Sequence, residues 1–352
     1  MEPVSGTGLE VLAVAASPPK GSVPQGGGVF VLDHRLNDSF SFVNVLIEHG
    51  LDIRRSPDGF VLGEGGTALR AAHLATERGL TPFVLTAAPA NAQSLRRARI
   101  ALWDRYGGSM TSGWTRWLLE QFDFEIDVVY PPDIDSGKLS NYDVLILPSD
   151  ASFGGGRGEE QQVDATIPME WRNRMGSLTV ERSVPKIKEF LESGKTVIAI
   201  GSAGSIARHL QLPVTDHLVE TVNGQERRLP REKFYVPTSI LHTAVNNKNS
   251  AAWGMPAQVD VVFDNSPVYR LLPGAEERGI TPILYFEGGT PLRSGWAWGQ
   301  EHLSGGVGAF EAFVGLGRLL VYGPEITFRA QPHGTFKLLF NALYTASSRS
   351  QH

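Results

Sequence analysis

Two short runs constrain the fold most tightly: "YDVLILPSD" (Tyr142–Asp150) and "GKTVIAIGSAG" (Gly194–Gly204). Each holds an unbroken apolar stretch, without the alternation that marks a strand with one wet face. Such a run suits a strand covered on both sides. Between them "VPKIKEFLESG" (Val184–Gly194) has the spacing of an amphipathic helix. Upstream the pattern repeats. "RIALWD" (Arg99–Asp104) reads as a buried strand and "FEIDVVYP" as another. "SGWTRWLLEQF" (Ser112–Phe122) reads as a helix capped by Ser112, with Trp114, Trp117 and Leu118 at helical spacing. Strands apolar on both faces, alternating with helices, predict a parallel sheet with helices on both faces. "GRLLVYGPE" (Gly317–Glu325) adds a late strand and "GTFKLLFNALY" (Gly334–Tyr344) a closing helix.

The chain before residue 96 reads differently. Residues 1–28 are rich in Gly, Pro and Ser and read as a flexible tail or linker. Residues 29–95 read as a small α/β module. "VFVLDH" is a strand, and "NDSFSFVNVLIEHG" is a helix with Asn37 or Asp38 as N-cap and Gly50 as its stop. "LDIRRS" and "DGFVLG" are two more strands, and "TALRAAHLATERG" (Thr67–Gly79) is a helix closed by Arg78 and Gly79. Residues 96–347 then form the second unit. Its middle, about 211–300, reads as loop-rich, and "FGGGRGEEQQ" as a Gly-rich loop.

Composition removes several classes of function. The 352 residues are 41% hydrophobic and 20% charged, enough for a real core. A formal net charge of -5 argues against an electrostatic nucleic-acid surface. No apolar run is long enough to span a bilayer, and the first residues lack the basic region of a signal peptide. With no cysteine there is no disulfide, thiolate metal site or cysteine nucleophile. His73 and Glu77 stand four apart on a helix, but no third ligand accompanies them, and they read as a solvated face. The glycines of "GEGGTALR" (Gly63–Arg70) precede a helix that could receive a phosphate, yet no Gly-Lys-Ser/Thr ending follows and a plain turn is the better reading. No metal and no cofactor are expected.

The small residues after "TVIAI" pose the main chemical question. A nucleophile elbow needs small residues on either side of the nucleophile, because strand and helix meet there at close quarters. Gly204 fits around Ser202, but Ile200 stands where glycine is wanted. The simpler reading is a turn in which Ser202 or Ser205 caps the next helix. A serine hydrolase using Ser202 would need a base, and none of His209, His217, His242, His302 or His333 lies in a motif that marks one. In "SGWAWGQEHLSGG", Trp296 and Trp298 fall at period two, as on a strand with both rings on one face. They could stack on a carbohydrate or peptide, although burial in the core is the commoner fate of such residues.

The order "RIALWD", helix, "YDVLILP", helix, "TVIAIGSAG", "LLVYGPE" resembles the class I glutamine amidotransferase-like fold, a flavodoxin-like sheet with a nucleophile elbow. The stretches "RIALWDRYGGSMTSGWTRWLLEQFDFEIDVVYPPDID" and "RAQPHGTFKLLFNALY" are similar to the C-terminal region of bacterial zinc carboxypeptidases of the carboxypeptidase A type. The resemblance spans roughly 29–345. It implies an elbow cysteine, where this chain has Gly201 or Ser202, and a His-Pro-Glu run, where it has Gly323, Pro324 and Glu325. Both chemical groups would then be lost, leaving degenerate positions. It also implies a zinc carboxypeptidase domain as partner, the zinc ligands lying before this chain, and a periplasmic or secreted setting. The expected role is a non-catalytic accessory module for structure or for ligand or partner binding.

Overall fold

A computed structural model describes residues 19–154 and 167–347. Most of the expected tail, residues 1–18, and most of the Gly-rich loop, residues 155–166, lie outside the described residues.

The first unit has the strands β1 (Val29–Leu32), β2 (Arg54–Ser56), β3 (Gly59–Gly63), β4 (Phe83–Leu85) and β5 (Gln93–Ser94), with helices α1 (Asp38–Glu48) and α2 (Gly65–Glu77). Its sheet has the order β4-β1-β3-β2-β5, and every pairing is antiparallel. Asn37 is the N-cap of α1, although its side chain makes no capping bond there. It donates instead to the His333 carbonyl.

The second unit carries β6 (Ile100–Trp103), α3 (Met110–Gln121), β7 (Ile126–Val129), α4 (Pro131–Asp135), β8 (Val144–Leu147), α5 (Met169–Arg172), α6 (Ser183–Glu192), β9 (Thr196–Ile200) and α7 (Ile206–His209). The region expected to be loop-rich holds β10 (Val214–Asp216), β11 (Val219–Val222), β12 (Gln225–Arg228), β13 (Ser239–Val245), β14 (Gln258–Phe263), β15 (Tyr269–Leu271), β16 (Thr281–Tyr285) and β17 (Leu292–Ser294). The chain closes with β18 (Val307–Val314), β19 (Gly317–Tyr322) and α8 (Phe336–Ser347). Of these later strands, β19 is the one expected from "GRLLVYGPE"; β10, β15 and β17 span three residues each, and β13 and β16 pair through bulges, so no apolar run announced them.

The expected parallel pairings are all present. β7, β6, β8, β9 and β19 lie side by side in that order, each parallel to its neighbours. Numbered among themselves by sequence, they run 2-1-3-4-5, the flavodoxin-like order. The sheet then continues antiparallel through β18, β16, β13 and β14.

β7 is the edge strand, half-exposed with Asp127 in solvent rather than buried as expected; along β6, β8, β9 and β19 alternation explains the unbroken apolar runs. Ile100, Leu102, Val144, Ile146, Ile198, Ile200 and Leu320 face one core, with Leu118 and Leu119 of α3 and the apolar face of α8. Ala101, Trp103, Leu145, Leu147, Val197, Ala199 and Val321 face the other, with Ile187, Phe190 and Leu191 of α6. Neither face meets water, so both sets must be apolar. The first core continues into residues 29–95. Phe40 packs against Phe60, Phe340 and Tyr344 with ring centroids 5.0–5.6 Å apart.

Helix α3 starts earlier than expected. Ser109, not Ser112, is its N-cap, and its hydroxyl accepts from the Ser112 amide. Ser112 is buried inside the first turn. Of the spaced apolar residues only Leu118 is buried, while Trp114 and Trp117 lie on the exposed side.

Asp143 ties the starts of three parallel strands together. Its buried carboxylate accepts from the Arg99 backbone and side chain, from Arg96 and from Lys195 at 2.9–3.1 Å. Burial alone would raise its pKa. The hydrogen bonds from Arg99, Arg96 and Lys195 outweigh burial and hold the carboxyl well below the usual range. A depressed folded-state pKa stabilises the fold fully above the unfolded carboxylate value, about 3.9, and the contribution fades as pH falls through the lower folded value. Asp143→Asn should cost about 2 kcal/mol at pH 7, less than loss of a fully buried pair because Arg96 and Arg99 reach solvent. Urea melts at pH 7 and pH 3 should show the deficit shrinking at the lower pH.

Candidate functional site

In an open parallel sheet, ligand-binding residues gather beyond the carboxyl ends of the strands. Three segments converge there. Ser149 and Asp150 follow β8, Gly201 and Ser202 follow β9, and Gly323, Pro324 and Glu325 follow β19.

Gly201 sits at the strand-to-helix turn with φ of 57°. This is the left-handed conformation that an L side chain reaches only with strain. The turn geometry of an elbow therefore belongs to Gly201, not to Ser202. The space a side chain would use at 201 is taken. A Cβ there would lie 2.1 Å from Ser149 Oγ, 2.6 Å from Glu325 Oε1 and 2.9 Å from Ser149 Cβ. These distances are far inside van der Waals contact.

The neighbouring position is equally closed. A Cβ at residue 323 would lie 2.0 Å from the Pro267 carbonyl oxygen and 3.0 Å from that of Gly308. Backbone thus fills the volume into which a residue-323 side chain would project. Gly204 is closed too, since its Cβ would meet the Tyr269 hydroxyl at 2.0 Å.

Ser202 is exposed, and its hydroxyl donates to the Ser149 carbonyl. Its amide donates to Ser149 Oγ at 3.4 Å. Ser205 stands at the N-cap of α7, one of the two serines expected there, but it makes no side-chain capping bond. Neither the turn at 201–205 nor α7 has a side-chain cap, because the nearer Ser149 carbonyl captures the Ser202 hydroxyl. His209 lies on α7 with its ring against Phe153, centroids 5.8 Å apart. His242 is engaged with Asp260 at 2.7 Å, and His217 with the Ser304 carbonyl at 3.2 Å.

Glu325 is the one deeply placed acid of the cluster. Burial raises its pKa, a hydrogen bond from Ser149 lowers it, and the charges of Asp264 and Asp150 raise it again; the net direction is up. Asp150 accepts from Ser109 Oγ at 2.9 Å, and Asp104 accepts from the Arg105 and Ser109 amides at 2.8 and 2.7 Å. These contacts brace the crevice between β6 and β8, where the strand order reverses. Ser149 and Asp150 were legible as residues that end a buried strand. The Pro267 carbonyl left no trace in the sequence.

The other singled-out residues lie elsewhere. Trp296 and Trp298 are 52% and 54% exposed, so burial in the core does not occur. Only Ser294 and its predecessors belong to β17, and glycines on both sides turn the tryptophans out of the strand. His73 and Glu77 are exposed on α2, where Glu77 pairs with Lys20 at 2.7 Å. Among the described residues no group of three His, Asp or Glu side chains is placed to hold a metal ion. The glycines at 63–66 open α2 behind Glu64, which carries no capping bond. Among the described residues no helix is long and apolar enough to cross a membrane.

No protein-family model matches the sequence, and no curated protein matches it. Solved structures do. PurLQS from Thermotoga maritima superposes with a TM-score of 0.42 at 16% identity, covering 70% of this chain and 98% of that one. A glutamine amidotransferase from the same organism gives 0.38 at 12% identity, covering 66% and 77%. A beta-galactosidase from Bacillus circulans sp. alkalophilus gives 0.40 at 10%, covering 71% of this chain but only 31% of that one. At such values these are statements of similarity, and a fold of this kind hosts many chemistries.

The raised pKa of Glu325 has a testable sign. A carboxyl whose folded pKa is raised weakens the fold once pH passes its unfolded value, about 4.3. Glu325→Gln should therefore raise the melting temperature at pH 7–8 and leave it nearly unchanged at pH 4. Thermal melts across that range check this, and a loss of stability at pH 8 would contradict it.

Proposed function

We propose that this chain is a catalytically silent amidotransferase-like module with a structural or binding role. The observation that carries the reading is the filled elbow. Ser149 and Glu325 occupy the volume a nucleophile side chain would need at Gly201, and the Pro267 carbonyl occupies that of a base at Gly323. On this reading more is missing than two side chains, because neighbouring atoms fill both volumes. Glu325 accepts from the Ser149 hydroxyl, whereas the Ser202 hydroxyl donates elsewhere, to the Ser149 carbonyl, so Glu325 is not placed as a base for Ser202. The Ser202 hydroxyl gives its proton to a carbonyl, which cannot remove it. General-base help is typically worth about 10²–10⁴ in rate.

The resemblance in the two quoted stretches supports a finer reading, in which residues 96–347 are the amidotransferase-like domain of a zinc-carboxypeptidase-type protein and residues 29–95 a small module before it. The partner would be the peptidase domain and the setting periplasmic or secreted.

The serine-hydrolase alternative has a direct test. Wild-type chain and Ser202→Ala are incubated with a fluorophosphonate probe and, separately, with glutamine. Neither protein should be labelled or release ammonia. Ser202→Ala should lose about 0.5–1 kcal/mol through its hydrogen bond to Ser149. Labelling or ammonia release that disappears in Ser202→Ala would overturn the reading.

A further inference from the structure

The segment "SGWAWGQ" builds a ledge that the elbow does not use. Gly295 and Gly299 bracket the two tryptophans at φ of 101° and 70°. A Cβ at 299 would lie 1.9 Å from the Lys233 carbonyl oxygen, and one at 295 would lie 2.5 Å from Ser239 Oγ. The glycines thus press the segment flat against the wall beneath it. Trp298 and Tyr235 exchange both backbone hydrogen bonds at 3.0 Å. Ser239 Oγ bridges the Trp296 amide and carbonyl at 2.9 and 2.8 Å. The Trp298 indole N–H donates to the Glu232 carbonyl at 2.7 Å.

The rings form a series. Trp296 and Trp298 are nearly parallel, 12° apart, with centroids 6.4 Å apart. Tyr235 meets Trp296 edge-on at 5.8 Å, and the Arg231 guanidinium carbon lies 3.8 Å from the Tyr235 ring centroid. Both residues are about half exposed, although the Trp298 indole is held by its N–H bond and the Trp296 ring rests against Tyr235.

We propose that this ledge binds a glycan that carries a carboxylate. Three observations select that ligand. The backbone groups of Trp296, Trp298 and Tyr235 named above are already bonded within the protein. An extended peptide reads a partner through such groups, so the ledge offers it little. The Trp298 N–H is likewise spent, so what remains on offer is ring face. A ring face suits the C–H face of a pyranose, and rigid aromatics engage it with little entropy to lose. The third observation concerns charge. Lys233 is held by Glu220 and Arg293 lies 3.5 Å from Asp260, whereas Arg231 has no ion-pair partner among the described residues. A guanidinium stacked on Tyr235 keeps its fork of donors free for a carboxylate.

The proposal stands whether or not the elbow is silent. Its test uses the whole chain, titrated with hexagalacturonate and with neutral cellohexaose by calorimetry. Hexagalacturonate should bind at least tenfold more tightly. Trp296→Ala and Trp298→Ala should each weaken it tenfold or more, and Arg231→Gln should abolish the preference over cellohexaose. Circular dichroism confirms that the variants are folded. On the wild-type protein, saturation of the indole protons should transfer to the sugar C–H protons, which needs no variant. No binding of hexagalacturonate at millimolar concentration, binding untouched by both tryptophan substitutions, or tighter binding of a proline-rich peptide would each overturn the proposal.

Discussion

The pairing of β19 with β9 is the constraint on which the rest of the structure depends. Their register sets Tyr322 beside Ile200 and Arg318 beside Thr196, although the segments are far apart in sequence. It joins the parallel half of the sheet to the antiparallel half, because β18 pairs with β19 on its other side. It also delivers Gly323 and Glu325 to the turn at Gly201. A shift of one residue in this register would invert which side chains meet each core. Such a slip is opposed by two apolar layers at once, with Leu320 and Tyr322 in one and Leu319 and Val321 in the other.

The meeting of these strand ends determines the chemistry of the site. In an elbow the backbone strain at the turn supports an exposed nucleophile. Here the left-handed backbone persists at a glycine, where it costs little. Ser149 and Glu325 close over it, and Ser149 links the amide of Ser202 to the Glu325 carboxylate. A polar contact network fills the space beside this glycine, and strand and helix pack closely around it. Tyr269 rests on Gly204 in the same way, its hydroxyl where a side chain at 204 would begin.

The parallel sheet was legible because it is buried twice. "VLIL" and "TVIAI" admit few alternatives, and their helices carry a clear apolar stripe. The antiparallel half was not legible, since strands such as "SILHTAV" and "QVDVVF" mix polar and apolar residues. The N-cap of α3 lies one turn before the serine read from the sequence, for a local reason. Ser109 and Ser112 both suit an N-cap, and only the loop braced by Asp104 decides between them. The elbow was legible as a turn, but not as a filled one, because Pro267 and Ser149 reach it only through the fold. Size alone assigns Trp296 and Trp298 to the core, yet both are exposed. Gly295 and Gly299, visible in the same segment, are what turn them outward.

The space at residue 201 is already occupied. A double-mutant cycle between Gly201→Ala and Ser149→Gly measures it by denaturant unfolding. Gly201→Ala should cost about 2–3 kcal/mol in the native background, from overpacking and backbone strain together. Once Ser149→Gly has removed the hydroxyl and Cβ that stand in the way, the same substitution should cost at least about 1 kcal/mol less. Strict additivity of the two changes would mean that Ser149 does not fill the elbow, and would contradict the account.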